Sequence, residues 1–246
     1  MRIWHCDRYY DTTKHIDRVQ LLNIAPQKVY RYDPQPNEII DYDKKRIRIY
    51  QIGYDEYSLS MIDPNFIPYR QTGTPHNYEN DILIDVYRKN KRCKTCEYIG
   101  VLSWRFYEKT GWSGARLIQS ITGESDVYVC NPAHYEKYKH PYSRKGFGSV
   151  DAMREYIDAR NILPVRLSGV SIDRPVWCNY WIARREIFTD YVQNWLIPVV
   201  ACLKRSPLYS ATELHRGKPT LSVTFFLEGL FSVYLTQNSI TCKFLQ

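Results

Sequence analysis

"EYIGVLSWRFYEKTGW", residues 97–112, is the stretch on which the reading of this chain turns. Its first half sets Tyr98, Ile99, Val101 and Leu102 side by side without polar alternation, as in a strand buried on both faces. The second half passes at once to Ser103, Trp104, Arg105, Tyr107, Glu108, Lys109 and Gly111. A strand that only fills a core ends in bland turn residues. One that ends in rings, both charge signs and a glycine delivers groups to a ligand.

Upstream, "RIRIYQIGY" at 46–54 alternates Ile47 and Ile49 with Arg46 and Arg48, and places Tyr50 and Ile52 on the other face, which predicts a strand ending at Gly53. A segment broken by Pro64, Pro68, Gly73 and Pro75 follows as a loop or short strand. "YENDILIDVYRKN" then spaces Ile82, Leu83, Val86 and Tyr87 as a helix does, with acids early and bases late. The opening stretch is the next strand, over 97–106. Downstream, "SDVYVCNP" at 125–132 is a short strand, and "SVDAMREYIDARNI" a helix carrying Met153, Tyr156 and Ile157 on one face. Residues 178–183 read as a strand. The helix after it aligns Ile187, Phe188, Tyr191, Val192, Trp195 and Leu196, and "SVTFFLEGLFSVYLTQN" is a second, largely buried helix. Strands alternating with helices imply an α/β fold with a mostly parallel sheet. The polar first 45 residues read as an N-terminal extension to a single domain over 46–246.

Hydrophobic residues make up 44% of the 246 and charged residues 24%, the balance of an ordinary globular chain. The aromatic share is 15%, with 22 tyrosines, and the formal charge is +8. Tyrosine surfaces suit sugars, because the ring packs on C–H faces while the phenol hydrogen-bonds. The positive balance favours anionic partners such as nucleotide diphosphates, nucleic acid or acidic lipid head groups, and serves solubility equally well. "MRIWHCDRYYDTTKHIDR" has no apolar segment of the signal-peptide kind, and "WLIPVVACL" is far short of the roughly 20 residues a membrane span needs. Seven cysteines fit free thiols in a reducing cytoplasm. "CKTC" at 93–96 lacks two further ligands for zinc and reads as a coincidental loop pair. There is no phosphate-loop glycine-lysine motif, no dinucleotide fingerprint, no nucleophile elbow and no zinc-protease helix.

The strings "FIPYRQTG", "YENDILIDVYRKN", "YIGVLSWRFYEKTG", "SDVYVCNP", "CNYWIARREIFTDYVQNWLIP" and "FFLEGLFSVYL", in that order, resemble bacterial polysaccharide-biosynthesis proteins of glycosyltransferase type. The resemblance covers roughly residues 46–240. It implies a GT-A-like, Rossmann-type fold and transfer of a sugar from a nucleotide-sugar donor to a polysaccharide or lipid-linked glycan acceptor. Many GT-A enzymes end the strand equivalent to 97–103 in Asp-x-Asp, which holds a divalent metal on the diphosphate. This chain has Ser103-Trp104-Arg105 there, which puts a Mn²⁺ or Mg²⁺ requirement in question.

In such a sheet ligands sit at the carboxyl ends of the strands. Ser103, Arg105 and Lys109 would arrive there together, and either base could neutralise the diphosphate. Trp104 and Tyr107 would pack on base or sugar, Trp104 as an acceptor-binding candidate. The alternative is that Trp104 is core while Arg105 and Lys109 are solvated and pair with Glu108. Gln51, Gly53, Tyr54, Arg70 and Gln71 are further donor-binding candidates, and Asn179 and Tyr180 acceptor-binding ones. Asp126 would orient a sugar hydroxyl or cap a strand. Glu228, alone in an apolar helix, is the candidate base: burial would raise its pKa toward neutrality, and the resembling proteins carry Glu at the matching place. Pairing with Arg184 or Arg185 is its structural alternative. The basic, tyrosine-rich loop His134–Lys145 would rest on anionic lipid at the inner face of a membrane. A non-catalytic module binding nucleic acid or acidic glycan is the competing reading, and the dispersed bases count against it.

Overall fold

A computed structural model describes residues 2–5, 8–11, 46–72, 79–93, 95–132, 148–172, 175–215 and 218–245. The chain divides into two compact units, 1–33 and 34–246. The first contains an antiparallel hairpin of β1 (Arg2–His5) and β2 (Arg8–Asp11).

The second is an α/β domain. Its elements run β3 (Ile47–Gly53), α1 (Glu56–Ser60), β4 (Ile67–Arg70), α2 (Glu79–Asn90), β5 (Tyr98–Ser103), α3 (Phe106–Thr110), α4 (Gly114–Ser120), β6 (Val127–Val129), α5 (Gly148–Asp158) and β7 (Trp181–Arg184). Then come α6 (Arg185–Asp190), a π-helical turn (Tyr191–Leu196), α7 (Ile197–Leu203), the hairpin β8 (Thr212–His215) and β9 (Lys218–Leu221), α8 (Ser222–Gln237) and β10 (Cys242–Phe244). The six-stranded sheet has the order β10-β6-β7-β5-β3-β4. All its pairs are parallel except those of β7, which runs antiparallel to both β5 and β6.

The period-2 pattern decides which face each side chain covers. Ile99 and Val101 of β5, Val127 and Val129 of β6 and Trp181 and Ala183 of β7 pack with α2, α5, α7 and α8 on one face. Ile47, Ile49, Tyr98, Leu102, Tyr128 and Ile182 form the other face with Phe106, Leu117 and Ile118 of α3 and α4. All six residues of β5 are buried. Gly100 belongs there because a Cβ would stand 2.8 Å from Ile182 Cγ1 on the neighbouring strand.

Tyrosine abundance has an outcome the composition did not suggest. Tyr87, Tyr98, Tyr128, Tyr180, Tyr191 and Tyr234 are buried, so much of the phenol content fills the core. Trp181 stacks on Phe231 at 3.8 Å, and Tyr191 meets Phe231 edge-on at 4.8 Å. The tyrosine hydroxyls take polar partners where they can: Tyr234 donates to Asp190 and Tyr87 to Gln193. The π turn precedes Pro198, which has no N–H to donate and whose ring crowds the preceding turn. Three short helices escape the sequence pattern: α1, which begins with a capping box between Asp55 and Ser58, α3, before which β5 stops at Ser103 and not at 106, and α4, which begins with a Ser113 cap.

Candidate functional site

Strand direction sorts the candidate residues. β3, β4, β5 and β6 all end at one edge of the sheet, and antiparallel β7 starts there. Gly53, Tyr54, Arg70, Gln71, Ser103, Trp104, Arg105, Lys109, Asn179 and Tyr180 therefore share that edge. Asp126 precedes β6 and lies at the opposite one, 126 being stitched to β10 by Asp126 N–H to Thr241 O at 3.0 Å. Its carboxylate accepts from the Thr241 hydroxyl at 2.7 Å and pairs with Arg184 Nε at 3.3 Å. The Thr241 hydroxyl first, then Arg184, hold the carboxyl below its ordinary range despite partial burial. Asp126 ties strands together, which matches the capping alternative.

At the strand-end edge several candidates prove to be braces. Gln51 is fully buried: its amide donates to Ser103 O at 3.2 Å and accepts from Asp63 N–H at 2.7 Å. Gly53 lies against α1, where a Cβ would come within 2.6 Å of Leu59. Arg105 turns back on Glu108 through two hydrogen bonds of 2.7 and 2.5 Å. That is the pairing the sequence left open, although this arginine is buried rather than solvated. Arg70 pairs with Glu56 at 2.6 Å on the exposed surface. Trp104 meets Tyr57 edge-on at 5.8 Å, and Tyr54 and Tyr57 are exposed, so this corner presents rings to solvent.

Ser103, Lys109, Tyr180 and Glu228 do come together. The hydroxyls of Ser103 and Tyr180 lie 2.5 Å apart. Lys109 Nζ stands 5.5 Å over the Tyr180 ring and 3.6 Å from Cys178 Sγ. The Cys178 N–H donates to Glu228 Oε1 at 2.5 Å, fixing one carboxylate oxygen with backbone rather than with an arginine. Cys178 and Asn179 have φ of 60° and 54°, a left-handed pair costing roughly 1–2 kcal/mol per residue. The loop holding this strain is clamped: Trp177 N–H donates to Asn131 Oδ1 at 2.9 Å, Val176 N–H to Ser232 Oγ at 2.9 Å, and Cys130 N–H to Tyr180 O at 2.8 Å. Strain at a clamped position beside a carboxylate is what a functional site retains.

Burial raises the Glu228 carboxyl to about 7; the Cys178 N–H and Lys109 oppose the rise, and Glu79 adds to it. Burial likewise raises the Glu79 carboxyl, which Lys109 also feels. Two carboxyls thus share one lysine's field. Asn179 is 3% exposed, and its Oδ1 has no hydrogen-bond partner among the described residues; nor does the Thr224 hydroxyl, one turn ahead of Glu228. Buried polar atoms are seldom left so. The sequence reading missed Glu79, Cys178 and Asn131. Glu79 looked like an ordinary acid of a helix's first turn, and nothing local marks the other two. Among the described residues no three His, Cys, Asp or Glu side chains are grouped to hold a metal ion.

No protein-family model and no curated protein matches the chain. A solved apo structure of the bifunctional glycosyltransferase WbbM is similar over 81% of this chain, at 15% identity and a TM-score of 0.54. The shared property is the fold. The match takes in 44% of that protein, so this chain spans less than half its length.

Proposed function

We propose that the chain is a glycosyltransferase that moves a sugar from a nucleotide-sugar donor to a glycan or lipid-linked acceptor, with Glu228 as the base of an inverting displacement. The carrying observation is a carboxylate held by backbone at the strand-end edge, with its pKa lifted to about 7. Such a group is ionised in a useful fraction at neutral pH and is a stronger base than an exposed carboxylate. In the step, the acceptor oxygen bonds to the anomeric carbon, the bond from that carbon to the diphosphate breaks, and the hydroxyl proton passes to Glu228. The fixed Oε1 leaves Oε2 to take that proton. The Asn179 amide and the Thr224 hydroxyl are the groups to orient acceptor hydroxyls, and Tyr180 packs beneath.

The donor would lie across the ends of β3 and β5. There Tyr54, Tyr57 and Trp104 offer faces for base or sugar, with Arg70 and Gln71 beside β3. Lys109 is the cation of the Ser103–Lys109 segment set against the carboxyls. The transfer is proposed as metal-independent because β5 runs into Ser103-Trp104-Arg105 where an Asp-x-Asp would hold a divalent ion. Residues 46–246 would form the transferase and 1–45 an extension to it. The setting proposed is bacterial polysaccharide assembly in the cytoplasm at the inner face of a membrane. Among the described residues no helix is long and apolar enough to cross a membrane. The loop His134–Lys145, suggested above to touch lipid, lies outside the described residues.

The test is a panel of nucleotide sugars, scored for thermal stabilisation and for release of nucleoside diphosphate, with Mn²⁺ or with EDTA. At least one donor should stabilise the chain in EDTA and be turned over when glycan acceptors are supplied. Silence from every donor in both assays would overturn the reading. A strict divalent-ion requirement would overturn its metal-free form.

A further inference from the structure

At the opposite edge, Cys93 and Cys96 lie between the end of α2 at Asn90 and the start of β5 at Tyr98. The sequence suggested a coincidental pair. The structure makes the two free thiols unlike. Cys93 is partly exposed, with Sγ 3.5 Å from the Thr95 hydroxyl, which can donate to a thiolate. Cys96 is 3% exposed, and its thiol donates to Tyr98 O at 3.1 Å.

Two guanidinium groups converge on the turn. Arg185 Nη1 donates to Cys93 O at 3.2 Å, while its Nη2 pairs with Glu186. Arg48 Nη1 donates to Asn90 Oδ1 at 3.0 Å, and the Asn90 carbonyl accepts from Cys93 N–H at 2.9 Å. The Thr95 hydroxyl, then the backbone N–H groups of Thr95 and Cys96 and, least, Arg48 draw the Cys93 thiol below its ordinary value. Burial pushes Cys96 up to about 11. An accessible thiolate beside positive charge is the attacking member of a dithiol, and a buried thiol three residues on is the resolving member.

We propose that Cys93 and Cys96 form a reversible dithiol–disulfide site that exchanges with low-molecular-weight disulfides, Cys93 attacking and Cys96 resolving. The Cys93 thiolate attacks one sulfur of oxidised glutathione, forming a mixed disulfide and releasing one glutathione thiolate. Cys96 then loses its proton to solvent and attacks Cys93 Sγ, closing the intramolecular disulfide and releasing the second glutathione. Two thiols are oxidised and one glutathione disulfide is reduced to two thiols. The site stands apart from the transfer reaction and holds whether or not that proposal does.

The experiment treats the full chain with oxidised glutathione, quenches with iodoacetamide and maps peptides by mass. Wild type should yield a peptide linking 93 to 96, two hydrogens lighter than the dithiol, and dithiothreitol should reverse it. Before oxidation, Cys93 should alkylate at pH 7 about 5-fold or more faster than the partly exposed Cys242. Cys96→Ala should trap glutathione on Cys93, and Cys93→Ser should take up none at Cys96. Wild type carrying glutathione on scattered cysteines with no 93–96 link would overturn the proposal. So would a Cys93 that alkylates no faster than Cys242.

Discussion

At one edge of the sheet, Asp126 has both carboxylate oxygens occupied, by Thr241 and by Arg184, and its proton is held less tightly than usual. At the other edge, Glu228 receives one backbone N–H, feels the charges of Glu79 and Lys109, and holds its proton up to about pH 7. Asp126 lies in a bend just before β6, and its backbone is satisfied on both sides, its N–H donating to Thr241 O and its O accepting from Arg184 N–H. Around Glu228 two consecutive residues are left-handed, and polar atoms of Asn179 and Thr224 lack partners among the described residues. A carboxylate that ties strands together is charged and satisfied. The one proposed to take a proton is left near its titration point, at a cost in stability.

The contrast is broken most forcefully at Glu228. Glu228→Gln should lower turnover about 10²-fold or more, measured as nucleoside diphosphate release. The same variant should unfold at a higher temperature than wild type above pH 7. The sign follows from a folded-state pKa of about 7 against an ordinary 4.5. The fold favours the protonated acid, so that stabilisation is complete below about pH 4.5 and is lost as pH rises through 7. Gln carries no proton to lose, so the gain should vanish in acid. A variant that merely unfolds would make the two edges alike.

Wild-type rate should rise with pH through about 7 as Glu228 ionises. Lys109→Met removes a cation that favours the ionised form, so this limb should move to higher pH and the rate at pH 7 should fall a few-fold. An unmoved limb would separate Lys109 from the carboxyls. Gly100→Ala tests the strand between the edges. Its Cβ would press on Ile182 Cγ1 at 2.8 Å and Trp181 O at 3.2 Å, costing about 1–3 kcal/mol in urea unfolding. The mildest change is Asp126→Asn, at about 1–2 kcal/mol at pH 7. Turnover per folded molecule should be intact, and the penalty should shrink in acid as wild-type Asp126 loses its own charge. Lost turnover there would move Asp126 back into the site.

Local pattern was enough for the longer elements, though not for the short helices α1, α3 and α4 or the β8–β9 hairpin. The alternation of Ile47 and Ile49 with Arg46 and Arg48 marks β3, the unbroken apolar run marks β5, and the spacings in α2 and α8 mark helices, because burial on one face or two imposes a period that a short window shows. The candidates after β5 were legible for the same reason: a strand's end is written in its own residues. Direction and pairing were not. A buried strand reads alike whether its neighbours run with it or against it, so nothing in "WIAR" says that β7 runs antiparallel between β5 and β6. That single reversal brings Asn179 and Tyr180 to the strand-end edge. Which partner a carboxylate meets is mostly decided at long range. The Arg105–Glu108 pair, three residues apart, lay within a local reading, but Asp126 meets Thr241 115 residues on and Glu228 a backbone N–H 50 residues back. Sequence fixes which groups can titrate; only packing fixes which of them are left without a counter-charge, because the desolvation and the partner both come from parts of the chain that no local window contains.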